Sequence, residues 1–200
     1  MPTPKLQIIR KASFKATPWK NGGGITHEVL RVPESGDPFR WRVSVAHIDA
    51  SGPFSEFAEY NRKMVLLQGA GVELRFADGV NKSLRNVGEL VEFDGTLATH
   101  CELLGGPCVD LNLMVSKSLG HVPVRVERFK APLPVTASCH ESTLVVCIDG
   151  AVVLKGNAGD AATLEPWDLA VLSHTPGLMS RLAPLDSTMP AMAFIATLRR

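Results

Sequence analysis

Leu66-Leu67-Gln68-Gly69-Ala70-Gly71-Val72-Glu73-Leu74 is the stretch that decides the fold, because a similar stretch occurs again later in the chain. The second copy is Val146-Cys147-Ile148-Asp149-Gly150-Ala151-Val152-Val153-Leu154. Two apolar runs joined by a short glycine-containing turn are typical of a β-hairpin. The repeat extends beyond the hairpin, since residues 84–91 align with residues 164–171 if one gap is allowed, and residues 111–114 correspond to 194–197. A β unit that occurs twice predicts two similar sheets or barrels in one chain.

Short strands separated by frequent turns extend this all-β interpretation to the rest of the chain. In residues 39–48, apolar and polar side chains alternate, which is the pattern of a half-buried strand. We expect helix to be scarce. The first barrel is predicted over residues 1–120 and the second over residues 121–200, with some exchange of strands between them. The predicted strands are 6–14, 25–32, 39–48, 63–67, 72–76, 84–93, 96–104, 109–115 and 191–198.

Composition excludes several classes of function. The chain has 200 residues, is 45% hydrophobic, and carries 21 basic and 20 acidic side chains for a net charge of +1. This balance gives no basic footprint for nucleic acid and no basic run for a membrane surface. Residues 1–10 lack the apolar core of a signal peptide, and no apolar run is long enough to cross a bilayer. The four cysteines form no C-x-x-C pair. We therefore expect a cytoplasmic protein with free thiols.

A second unusual stretch is Trp19-Lys20-Asn21-Gly22-Gly23-Gly24-Ile25-Thr26-His27-Glu28. Three consecutive glycines indicate a turn in which a residue such as Gly23 adopts φ > 0, or a place where a neighbouring group approaches too closely for a Cβ. The spacing matches neither a dinucleotide fingerprint nor a P-loop. One interpretation is a turn that lets one strand cross another. The other is a polar surface that binds a small ligand, formed by Asn21, Gly22, Gly23, Thr26 and Glu28.

Further candidate ligand-binding residues lie on two predicted strands. Arg42 and Ser44 share one face of the first strand. Asp110 and Asn112 alternate with leucines on a strand that should be apolar, and polar groups inside a small barrel need partners or a ligand. Arg42 and Asp110 would then form a buried ion pair, or Arg42 and Asn21 would hold a carboxylate.

In the second case Glu28 or Asp110 accepts a hydrogen bond from an ammonium or amide group. The residues therefore predict a small polar acid as ligand.

Metal binding and covalent catalysis have little support in the sequence. A divalent transition metal needs imidazole ligands that converge on it, as in an H-x-H pair, and the six histidines form no such pair. His47 and His100 are isolated at strand ends, and no motif activates a serine or cysteine. We assign no metal, cofactor or catalytic residue. An enzyme that uses Glu28 or His27 as acid and base stays open as an alternative, as does a non-catalytic interaction or stress protein.

The first half of the chain resembles the HutD/Ves family of two-barrel cupins, whose barrels are RmlC-like jelly rolls. The resemblance rests on residues 19–28 together with four further motifs. These are Trp41-Arg42-Val43-Ser44-Val45-Ala46, Gly52-Pro53-Phe54-Ser55-Glu56-Phe57, Arg62, and Gly106-Pro107-Cys108-Val109-Asp110-Leu111-Asn112-Leu113-Met114.

The resemblance implies a cytoplasmic bicupin that binds a small molecule and is not an established enzyme. The family's association with bacterial histidine utilisation points to urocanate or formylglutamate as the ligand. It also implies a regulatory role for the protein. A homodimer is one oligomeric state that the resemblance allows.

Overall fold

The fold is almost entirely β-strand in a computed structural model that describes residues 5–135, 141–156, 161–173 and 180–199. Two short 3-10 turns, Lys11–Ser13 and Lys117–Leu119, interrupt the strands. The described residues contain no α-helix, and hence no helix of the length and hydropathy needed to cross a membrane. The prediction of an all-β chain is confirmed.

Nineteen strands follow one another within the residues that the structure describes. They are β1 (Lys5–Ile9), β2 (Lys15–Pro18), β3 (Gly24–Val32), β4 (Trp41–Ile48), β5 (Gly52–Pro53), β6 (Tyr60–Gln68), β7 (Val72–Phe76), β8 (Asn81–Leu84), β9 (Leu90–Asp94), β10 (Thr99–Leu103), β11 (Cys108–Ser116), β12 (Val124–Phe129), β13 (Leu133–Val135), β14 (Glu141–Asp149), β15 (Val152–Lys155), β16 (Ala161–Leu164), β17 (Leu169–Ser173), β18 (Ser180–Pro184) and β19 (Ala191–Arg199).

The first compact unit spans Phe14–His121 and contains two antiparallel sheets. A six-stranded sheet has the order β2-β3-β4-β11-β6-β9, and a four-stranded sheet has the order β5-β10-β7-β8. Side chains from both sheets form one apolar cluster, in which Met64 and Leu66 contribute from β6 and Leu74 and Phe76 from β7. The two sheets therefore pack face to face over a common core.

The second unit contains β1 together with β12–β19. Its sheets have the orders β1-β17-β14-β19-β12 and β13-β18-β15-β16. The strand β1 pairs antiparallel with β17, and its side chains Leu6 and Ile8 pack against the core of this unit. The strand β1 thus belongs to the unit of the C-terminal residues although it precedes the boundary predicted between residues 120 and 121, and the prediction allowed for such an exchange of strands.

Two predicted strands are each divided in the structure. Residues 6–14 form β1 and a 3-10 turn, because the carboxylate of Asp168 accepts the backbone N–H of Lys11 and draws the chain out of the sheet. Residues 84–93 are split between β8 and β9. The carboxylate of Glu89 accepts the backbone N–H groups of Arg85 and Asn86, which closes a tight turn between the two strands.

Candidate functional site

A cavity of about 600 Å³ lies in the first unit, on the inner face of its six-stranded sheet. All the predicted binding residues line it except Gly22 and Gly23. A cavity of this size suits a small metabolite. The lining residues are Thr17, Pro18, Trp19, Lys20, Asn21, Thr26, Glu28, Arg42, Ser44, Ala46, Pro53, Phe54, Ser55, Phe57, Arg62, Asp110, Asn112 and Met114.

The register of the strands explains why these side chains meet. In the six-stranded sheet Glu28 lies opposite Ser44, and Ser44 lies opposite Asn112. Residues directly opposite one another on antiparallel strands point to the same face. One row of polar side chains therefore crosses three strands inside the barrel. In the next row Asp110 lies opposite Ala46, which faces Thr26 on its other side.

Asp110 is the most buried charged group of the cavity, with 2% of its surface exposed. Its Oδ1 atom and the Oδ1 atom of Asn112 have no hydrogen-bond partner among the described residues. Burial raises the pKa of the Asp110 carboxyl to about 7, and the nearby charge of Arg62 acts in the opposite direction. Buried acceptors without donors are costly, so this pair of oxygens suits a ligand that supplies an N–H or O–H group.

Arg42 reaches the cavity from β4 and does not form the ion pair with Asp110 that the sequence allowed. No N–O contact within 4.0 Å joins the two side chains in the described part of the chain, and Arg62 is the charge that acts on Asp110. The Nη2 atom of Arg42 contacts the sulfur of Met114 at 3.4 Å, while its buried Nε atom has no partner among the described residues. Burial lowers the pKa of this guanidinium. Arg42 therefore keeps hydrogen-bond donors that an anionic ligand can use.

Arg62 is a second cationic residue of the cavity, and the sequence-based set of site residues omitted it. It lies opposite Met114 on β11, just as Arg42 does from the other side. Its side chain is deeply buried, and burial lowers its pKa to about 10 although Asp110 raises it. The Nη1 atom donates to the carbonyl of Ser55 at 3.4 Å, and the Nε atom has no partner in the described residues. The sequence does carry a signal, because Arg62 is in phase with the inward-facing Met64 and Leu66.

The glycine-rich turn between β2 and β3 is held by its own hydrogen bonds. The Oδ1 atom of Asn21 accepts the backbone N–H of Gly23 at 3.0 Å. The positive φ of the turn, 71°, belongs to Gly22. The turn therefore has the positive φ that its glycines indicated, but at Gly22 and not at Gly23. Gly24 is required for a different reason, since a Cβ there would stand 2.2 Å from the carbonyl oxygen of His47.

Trp19 gives this turn its position beside the cavity. Its indole Nε1–H donates to the hydroxyl of Thr26 at 2.7 Å, and its backbone N–H donates to the carbonyl of Gly24. Thr26 lines the cavity with its hydroxyl already engaged in this bond. The turn thus supplies Asn21 and Trp19 to the cavity wall, whereas Gly22 and Gly23 shape the backbone.

The second unit shows that the fold does not require a polar interior. In both units a register shift interrupts the central strand pair, after which Leu66 faces Asp110 and Cys147 faces Ala193. Ala193 and Ile195 thus stand at the positions of Asp110 and Asn112, and both belong to an apolar core. The polar side chains of the first unit are therefore additions to a shared scaffold.

Few of the described residues in and around the cavity could bind a metal ion or act as an acid or base. The described residues contain no group of three His, Cys, Asp or Glu side chains able to hold a metal ion. Since His27 alternates with Glu28 along β3, it faces away from the cavity, where its ring lies 5.2 Å from that of His47. His100 is at the surface, 3.8 Å from Glu102. Glu28 and Asp110 are the carboxyl groups that line the cavity among the described residues.

Solved structures show what this architecture resembles. Over 98% of this chain and all of the other, it superposes with a TM-score of 0.88 and 29% identity on a conserved protein of unknown function from Pseudomonas aeruginosa PAO1. HutD from Pseudomonas fluorescens SBW25, solved in a formate condition, superposes over the same shares with a TM-score of 0.79 and 26% identity. A cupin 2 conserved barrel domain protein from Leptotrichia buccalis has a TM-score of 0.60 at 14% identity over 97% of this chain and 96% of that one. These likenesses confirm the cupin fold.

Sequence comparisons agree with the structural ones. An uncharacterized 21.2 kDa protein in the hutC 3′ region of Pseudomonas putida is 41% identical over 111 residues, which are 55% of this chain. The chain spans just over half the length of the curated relatives it matches, 58% in the case of the Pseudomonas putida protein. The family model described as HutD matches residues 11–188. The chain therefore belongs to the HutD family.

Proposed function

We propose that this protein is a cytoplasmic binder of a small acidic metabolite, which it holds in the cavity of its first barrel in a regulatory role that needs no metal. One observation carries the proposal. Arg42 and Arg62 bring two guanidinium groups to one cavity, and each has a buried Nε–H without a partner among the described residues. A guanidinium group can donate two parallel hydrogen bonds to a carboxylate. The cavity therefore offers a carboxylate ligand directed hydrogen bonds as well as positive charge.

The rest of the cavity adds hydrogen-bond acceptors. The free Oδ1 atoms of Asp110 and Asn112 suit an amide or ammonium group, and the carboxylate of Glu28 extends the same set. A ligand with a carboxylate at one end and a nitrogen donor at the other satisfies both kinds of group. An amino acid or a product of its breakdown has this chemistry.

The names of the relatives reduce the number of candidate ligands further. HutD of Pseudomonas fluorescens and the Pseudomonas putida protein from the hutC region both carry names of the hut genes. They support a histidine-degradation intermediate such as formylglutamate or urocanate. Formylglutamate has two carboxylates and an amide N–H, whereas urocanate has one carboxylate and an imidazole, so both contain the required groups.

A thermal-shift screen tests the proposal directly. The protein is melted with formylglutamate, urocanate, glutamate and the uncharged glutaramide, with and without a chelator. A true ligand at 100 times its Kd should raise the unfolding free energy by about 2.7 kcal/mol. The shift should persist with chelator, and glutaramide should give none. If no acid shifts the melting temperature, the binding role is contradicted and an interaction role is left.

A cupin-type enzyme is the second candidate, and Asp110 favours it. A carboxyl group whose pKa is raised to about 7 can exchange a proton at neutral pH, as catalytic acids and bases do. Incubation of the purified protein with urocanate or formylglutamate, followed by chromatography of the products, separates the two roles. Turnover that is abolished in Asp110→Asn would establish the enzyme, and recovery of unchanged ligand would support the binder.

A further inference from the structure

The two guanidinium groups of the cavity are surrounded by aromatic rings and lack carboxylate partners among the described salt bridges. The Cζ atom of Arg42 lies 5.4 Å from the ring centroids of Phe39 and Phe57. The Cζ atom of Arg62 lies 5.2, 5.7 and 4.9 Å from the rings of Phe54, Phe57 and Phe93. Within the described residues, Phe57 is the ring that both arginines share.

Phe57 stands in the connection between β5 and β6, where its backbone is fixed. Its N–H donates to the carbonyl of Gly95 at 2.8 Å, and its own carbonyl accepts the N–H of Tyr60 at 2.9 Å. A Cβ at Gly95 would lie 2.3 Å from the Phe57 carbonyl oxygen, so the two segments are in close contact. The ring also meets the ring of Tyr60 edge to face, at 6.4 Å between centroids. Phe57 is therefore held from two sides.

A shared ring has a particular electrostatic effect on two like charges. Burial is the main cause that lowers the pKa of Arg62, and the charge of Arg42 lowers it further because two nearby cations repel each other. The negative face of an aromatic ring attracts a guanidinium without accepting its N–H bonds. A carboxylate in the same place would occupy those donors. The ring thus steadies both cations and leaves their N–H groups available to a ligand.

We propose that Phe57 is the positioning residue that holds Arg42 and Arg62 as the two arms of one anion-binding clamp. The inference rests on the proposed function for its ligand, although the placement of the two arginines can be tested without any ligand. Phe57→Leu keeps an apolar side chain of similar size and removes the ring face. Phe54→Leu removes a ring from Arg62 alone. Phe194→Leu alters a fully buried core ring of the second unit, which makes no guanidinium contact among those described.

The ligand-free experiment follows the arginine Nε–Hε signals by ¹H–¹⁵N NMR, because a nearby ring shifts these signals. Phe57→Leu should move the signals of both Arg42 and Arg62. Phe54→Leu should move that of Arg62 and leave that of Arg42 in place. Phe194→Leu should leave both signals in place while it lowers the melting temperature. If Phe57→Leu moves one signal or neither, the shared clamp is refuted.

The binding experiment measures the Kd of formylglutamate by calorimetry on the same variants. Loss of the ring face should raise the Kd about tenfold in Phe57→Leu. Phe194→Leu should bind as the unmodified protein does. Wild-type affinity in Phe57→Leu would overturn the proposal. If the unmodified protein binds no acid but Phe57→Leu moves both arginine signals, the proposed function fails while the role of Phe57 in placing the arginines stands.

Discussion

Arg62 and Asp110 lie on the neighbouring strands β6 and β11, and the charge of Arg62 lowers the pKa of the Asp110 carboxyl against the rise that burial causes. The balance leaves this pKa at about 7. The two groups form no salt bridge within 4.0 Å among the described contacts. The protein thus contains a buried carboxyl group that is partly ionised near neutral pH. Its unfolding free energy should therefore depend on pH.

Stability should fall as the pH rises from about 4 to about 7, the interval between the pKa of Asp110 in the unfolded and in the folded chain. In that interval the folded state holds a proton on Asp110 that the unfolded state has released. The unfolding free energy should therefore be lower at pH 8 than at pH 4 by about 2–4 kcal/mol from this group. Urea denaturation at the two pH values measures the difference. The Asp110→Asn variant has no titratable group at this position, so it should lack this contribution to the difference in unfolding free energy. An unchanged pH dependence in the variant would contradict the raised pKa.

Removal of Arg62 should destabilise the protein through Asp110. Arg62→Met fills a similar volume but leaves the buried carboxyl without its compensating charge, at a cost of about 3 kcal/mol at pH 8. The loss should shrink at pH 5, where Asp110 is protonated. The double variant Arg62→Met/Asp110→Asn should recover part of the stability. Chemical denaturation of the three variants gives this comparison. Strict additivity would mean that the two groups do not interact.

Arg42 should matter for binding far more than for stability. Arg42→Lys keeps the charge but loses the planar fork, so the Kd of a carboxylate ligand should rise at least about tenfold. Arg42→Ala should raise it further. Because Arg42 forms no ion pair with Asp110, neither variant should lower the melting temperature greatly. Calorimetry and thermal unfolding of the same samples test both statements. A large stability loss with unchanged affinity would assign Arg42 a structural role.

The glycines of the turn should differ sharply in their tolerance of a side chain. Gly24→Ala places a Cβ 2.2 Å from the His47 carbonyl oxygen and should cost about 1–3 kcal/mol. At Gly23 the nearest atom to a Cβ is the Asn21 side-chain oxygen at 3.4 Å, so Gly23→Ala should change stability by less than about 1 kcal/mol. Thermal unfolding of the two variants decides the matter. Equal losses would show that the close contact at Gly24 is not what requires a glycine.

Local patterns in the sequence were sufficient for much of the site. The alternation in β4 and β11 placed Arg42, Ser44, Asp110 and Asn112 on one face, because side chains on a strand point alternately to its two sides. The same periodicity would have included Arg62, had the strand been extended back by one residue. The predicted strand began at residue 63, whereas β6 begins at Tyr60.

Other features depend on contacts between distant residues, which no local pattern reveals. Phe57 belongs to a connection without strand periodicity, and its backbone is held by a hydrogen bond to Gly95, which is distant in the sequence. The ionisation of Asp110 depends on how completely the barrel buries it. The positive φ of the turn lies at Gly22, beside the hydrogen bond that the Asn21 side chain accepts from Gly23.

The pairing of β1 with β17 also sets an order of events on the ribosome. Ile9 pairs with Leu169, 160 residues later in the chain. At about 5–20 residues per second, the strand Lys5–Ile9 leaves the ribosome about 8–30 s before its partner. All the strands of the ligand cavity's barrel are synthesised in that interval, from β2 to β11. The unit that contains the cavity is thus free to fold during translation, while the edge of β1 needs protection from non-native pairing until β17 has been synthesised.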